Sequence, residues 1–97
     1  MIEIRRTESG ITIRGHANAA EYGKDIVCAG ISTLAQNLIL SIEDLTADTI
    51  QYSMQPGTVD IEFRDLSEPA QLLVNSFFLG AEAIANTYPE NVKVTKH

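Results

Sequence analysis

At 97 residues the chain has room for one domain, 1–97, because domains hold roughly 100 to 150 residues and chains split only well above that length. With 44% hydrophobic and 21% charged residues it has the balance of a folded globular chain, not a disordered one. Thirteen acidic against seven basic residues give a net charge of -6, which repels phosphate backbones and removes the basic footprint of a nucleic-acid binder, so no direct nucleic-acid partner is expected.

The opening Met1-Ile2-Glu3-Ile4-Arg5-Arg6 has no apolar segment after its charges, so neither a secretory signal nor an anchor is expected, and a cytoplasmic location is. The apolar-rich stretches from Ile26 to Ile42 and from Leu72 to Ala85 are interrupted by polar residues and fall short of the roughly 20 residues that a membrane span requires; no membrane partner is expected. The single Cys28 can make neither an internal disulfide nor a zinc finger.

In chain order, Ile2 and Ile4 alternate with Glu3 and Arg5, and Ile11 and Ile13 with Thr12 and Arg14, on either side of Glu8-Ser9-Gly10. That period of two predicts a β-hairpin with one apolar face. Residues Gly15 to Lys24 are small and glycine-bounded with no sustained period, and read as a mobile loop. From Asp25, a favoured N-cap, Val27, Ile31, Leu34, Ala35, Leu38, Ile42 and Leu45 recur at helical spacing within about 100° of arc, with Leu40 opposite. Thr49 to Met54 and Thr58 to Phe63 flank the turn signal Pro56-Gly57 and predict a second hairpin with Val59, Ile61 and Phe63 on one face. Ser67 can cap a second helix with Pro69 in its first turn and a stripe of Ala70, Leu73, Phe77, Ala81, Ile84 and Tyr88, stopped by Pro89. Asn91 to Lys96 is the last strand. The order β-β-α-β-β-α-β predicts an α+β two-layer sandwich, a mixed or antiparallel five-stranded sheet with two helices on one face.

Chemistry concentrates in Gly15-His16-Ala17 and in Asp25 to Ser32. With Asp25 as N-cap, Cys28 is the third residue of the helix, where unsatisfied NH groups and the helix dipole favour thiolate over thiol. It lies about 60° round from Ile31, on the edge of the core and near Ser32. His16 ends the second strand, close enough in sequence to serve as base or ion-pair partner for Cys28, the apparatus of nucleophilic acyl transfer. The same residues also read without catalysis: Cys28 as a small buried hydrophobe, His16 as a solvated strand end, Asp25 as a cap and Ser32 as a surface hydroxyl. Leu72, Leu79 and Ala83 lie off the second helix's stripe, either as scattered surface residues or as a self-association face.

Gly15-His16-Ala17, Tyr22-Gly23 and Asp25-Ile26-Val27-Cys28-Ala29-Gly30-Ile31-Ser32 resemble the signature of the ribosomal-processing cysteine protease (Prp) family, and the similarity runs over essentially the whole chain. The resemblance implies a homodimeric Cys/His protease that removes a short N-terminal extension from large-subunit ribosomal protein number twenty-seven. It implies Cys28 as nucleophile and His16 as catalytic base, with Gly15, Asp25 and Ser32 in support. Ala17, Asn18, Ala19, Ala20, Glu21, Tyr22, Gly23 and Lys24 would form a segment that orders over substrate. No cofactor or metal is implied. Asn18 stands where glycine is common, and Ala29-Gly30-Ile31 replaces the more usual Ala-Ala-Val; Gly30 costs about 1 kcal/mol relative to alanine in a helix and would loosen the first turn. The reading from another class is a non-catalytic ribosome-assembly or regulatory binding module with Cys28 as packing, and a weaker one is an acidic mimic of nucleic acid.

Overall fold

A computed structural model describes residues 1–16 and 25–96. Along the chain come β1 (Ile2–Thr7), β2 (Gly10–Arg14), α1 (Asp25–Leu45), β3 (Gln51–Gln55), β4 (Thr58–Glu62), α2 (Glu68–Thr87) and β5 (Val92–Thr95). The element order is the one the periodicities predict.

The isoleucine alternation of β1 and β2 becomes the inner face of the sheet. Ile4 pairs with Ile13, Ile11 with Ile61, Ile13 with Val59, and Ile2 with Val92, so the buried residues of four strands share one side. The sheet order is β3-β4-β2-β1-β5, with β5 parallel to β1 and every other pair antiparallel; the sheet is mixed. Gly10 is demanded by the β2–β4 contact, since a Cβ there would lie 2.1 Å from the Ile61 carbonyl oxygen.

Both helices pack on this face and share one core with it. In α1 the buried positions are Val27, Ile31, Ala35, Leu38, Ile39 and Ile42; Leu34 is half-buried and Leu45 is 70% exposed. The expected stripe therefore loses Leu45 and gains Ile39. Leu45 ends the helix, where nothing covers it, while the core wraps further round α1 than a narrow stripe allows. In α2 the Ser67 side chain accepts from Ala70 N and Pro69 sits in the first turn, as the capping signals predict. Val74 and Phe78 join Ala70, Phe77 and Ala81 in the interior, while Leu73, Ile84 and Tyr88 are half-buried.

α1 runs from Asp25 to Leu45 as its periodicity predicts, but the expectation that its apolar stretch falls short of a span does not hold: Ile26–Leu45 is long and apolar enough to cross a membrane by length and composition. Most of the interrupting residues are exposed, and none breaks the helix. Its inner side is the core of the sandwich, the reason a helix packed between sheet and solvent is this apolar.

Candidate active site

Two glycines set how α1 meets α2. A Cβ on Gly30 would lie 3.2 Å from Ile84 Cδ1, and one on Gly80 would lie 3.1 Å from Leu34 Cδ2. Gly30, expected to loosen the first turn, instead occupies the helix–helix contact, where a side chain would crowd α2. At 100° per residue, Gly30 and Leu34 lie on one flank of α1 and Cys28, Ser32 and Ile39 on the other. With α2 against the first flank, the second faces the β2 and β4 end of the sheet.

There a cavity of about 250 Å³ opens. Cys28, Ile31 and Ser32 line it from α1, Ile13, Gly15 and His16 from the end of β2, Ile2 from β1, and Met54 to Val59 from the β3–β4 hairpin. Cys28 is half-buried against the core, whereas Ser32 and His16 are exposed. A cysteine that packs against the core and lines a cavity has the setting a nucleophile needs.

α1 starts at Asp25 itself, so Cys28 is the fourth helical residue, not the third. It remains in the first turn, where the positive end of the helix dipole acts. The backbone at His16 is held from two directions. Gly15 N donates to Gly57 O at 3.0 Å, and the Met1 amine donates to His16 O at 2.9 Å. Gly15 has φ 99°, and a Cβ on it would lie 2.2 Å from Met1 O, so only glycine permits this exit from β2. The expected substrate segment, Ala17 to Lys24, lies outside the described residues.

His16, Cys28, Gly15 and Ser32 thus meet at one cavity. The sequence reading missed the contribution of the β3–β4 hairpin, Met54, Pro56, Gly57 and Val59 above all. The signal was pairing: β4 lies antiparallel to β2 with Thr58 opposite Arg14, so the turn before Thr58 falls beside the residues after Arg14.

An open α+β sandwich with a first-turn cysteine and a strand-end histidine on one cavity has the layout of a small thiol hydrolase. Residues 1–93 match the family described as cysteine protease Prp, and the chain belongs to that family. It is accordingly a cysteine protease, which closes the reading of the chain as a non-catalytic binding module.

The ribosomal processing cysteine protease Prp of Staphylococcus aureus strain Mu50 is 32% identical over 87 residues, spanning 87% of this chain and 82% of that protein. The protein of the same name from Bacillus subtilis strain 168 is 31% identical over 88 residues, spanning 84% and 79%. Among solved structures, the S. aureus processing protease Prp with a covalently linked product peptide superimposes at TM-score 0.84 and 26% identity, over 99% of this chain and 97% of that one. SMU.848 of Streptococcus mutans superimposes at TM-score 0.83 and 32% identity, over 98% and 90%.

Proposed function

We propose that this protease removes the short N-terminal extension of large-subunit ribosomal protein number twenty-seven, with Cys28 as nucleophile and His16 as general base. The observation that carries the reading is the presence of both side chains on one cavity, in a chain whose relatives are named ribosomal processing proteases. His16 takes the Cys28 proton, and the sulfur attacks the scissile carbonyl carbon to give a tetrahedral oxyanion. In this reading NH groups of the first turn of α1 supply the oxyanion site. Collapse breaks the C–N bond, and the imidazolium returns its proton to the leaving amine. Water, deprotonated by His16, then hydrolyses the thioester and restores the Cys28 thiol.

Gly15 shapes the approach of His16, and Asp25 and Ser32 flank Cys28 along the chain in this reading. Ile2, Ile13, Met54 and Val59 give the cavity apolar walls that accept an apolar side chain beside the scissile bond. The enzyme acts as a homodimer on a basic ribosomal precursor.

The test is incubation of wild type, Cys28→Ala and His16→Ala with full-length precursor, with mass spectrometry of the products. Wild type is expected to release one extension peptide and Cys28→Ala none, while circular dichroism shows Cys28→Ala folded. Cleavage by Cys28→Ala at the wild-type rate overturns the mechanism, and an uncut precursor in the wild-type reaction overturns the substrate.

A further inference from the structure

The β3–β4 turn does more than close a hairpin. Gly57 has φ 74°, in the left-handed region, and its carbonyl accepts from Gly15 N next to His16. Its missing side chain is also where the imidazole lies. A Cβ built on Gly57 would fall 2.5 Å from Nε2, 2.9 Å from Cε1 and 3.3 Å from Cδ2 of His16. Two ring atoms are thus inside the distance that non-bonded carbon tolerates, and the ring rests on the bare Cα of the turn.

This contact has an unusual balance. His16 is exposed, so a displaced ring has solvent to swing into and folding loses little by the move. Catalysis has no such latitude, because proton transfer requires the base within hydrogen-bond reach of its partner. A misplacement of about 1 Å can cost on the order of 100-fold in rate.

We propose that Gly57 is a positioning residue for the reaction: its bare Cα seats the His16 imidazole at the cavity that holds Cys28, and any side chain there turns the ring away. The proposal rests on the Cys28–His16 mechanism above. It predicts that Gly57→Ala lowers kcat about 100-fold on an extension peptide with little change in KM, since the apolar walls of the cavity stay in place.

The experiment follows the rate of Cys28 alkylation by iodoacetamide across pH 5 to 9 in wild type, Gly57→Ala, His16→Ala and the double variant, beside peptide cleavage and urea unfolding. Alkylation needs no substrate, and its thiolate can also form by loss of the proton to solvent, so it remains readable in every variant. The Gly57→Ala profile is expected to coincide with that of His16→Ala, and the double variant to add nothing further. Gly57→Asn separates the clash from turn strain, because asparagine tolerates the left-handed region and keeps the turn while still carrying a Cβ. It is expected to fold and to behave like Gly57→Ala. If both Gly57 variants keep the wild-type profile and kcat while His16→Ala loses them, the positioning role is overturned and the mechanism stands. Equal losses from Gly57→Ala with and without His16 also overturn it, since the effect would not pass through the ring. If wild type and His16→Ala share one alkylation profile, the Cys28–His16 mechanism falls and Gly57's role with it.

Discussion

Asp48, between α1 and β3, receives two hydrogen bonds from Ser67, one from its hydroxyl at 2.5 Å and one from its backbone NH at 2.8 Å. The Ser67 hydroxyl holds the Asp48 carboxyl below the usual carboxylate range, the Ser67 NH adds to it, and Thr46 contributes less; partial desolvation opposes them. Because the folded value lies below the unfolded one, this stabilisation is fully present above the ordinary carboxylate value of about 4. It fades as pH falls below that and is gone once pH passes the lower folded value. Asp48→Asn is expected to flatten the acid limb of urea midpoints measured from pH 7 to pH 2, whereas an unchanged slope means the carboxylate is not linked to folding. Ser67→Ala should flatten the same limb and also cost about 1 kcal/mol at neutral pH through the lost cap of α2. At this scale the sequence singles out Cys28 and His16 because the chemistry of each is local to its own segment, and the structure brings both to one cavity. Gly57 was not legible, since its role depends on which strand lies beside β2, and spacing along the chain does not encode that.

The helices were legible to within their edges. Period 3.6 found the centre of each stripe, but Ile39, Val74 and Phe78 lie at the margins, where burial is decided by the neighbouring element. Leu45 failed for the opposite reason, having the right phase at a helix end with no layer above it. Leu72 and Leu79, separated by two turns of α2, are 70% and 73% exposed and lie on one line along the helix. That is the face the sequence offers for self-association, and the proposed homodimer is expected to use it. In light scattering after gel filtration the wild type is expected to run as a dimer, and Leu72→Glu with Leu79→Glu as a folded monomer. A monomeric wild type, or a double variant that remains dimeric, counts against this assignment of the face.

For the molecule as a whole, the charge of -6 is opposite in sign to the basic ribosomal precursor of the proposed function. Long-range attraction of that kind raises encounter rates and is screened over a Debye length of about 10 Å at 0.1 M salt. Added sodium chloride is therefore expected to lower kcat/KM on the full-length precursor more than on a short neutral peptide; equal salt responses would leave the charge with no steering role. The parallel pairing of β5 with β1 bears on a different stage in the protein's life. Ile2 and Val92 are register partners about 90 residues apart, so β1, which contributes Ile2 to the cavity, lacks its outer neighbour until the C-terminal strand exists. Such closure is entropically expensive and kinetically late. During vectorial synthesis His16 and Cys28 precede β5 in the chain, so the sheet that frames their cavity is completed only once β5 has been made.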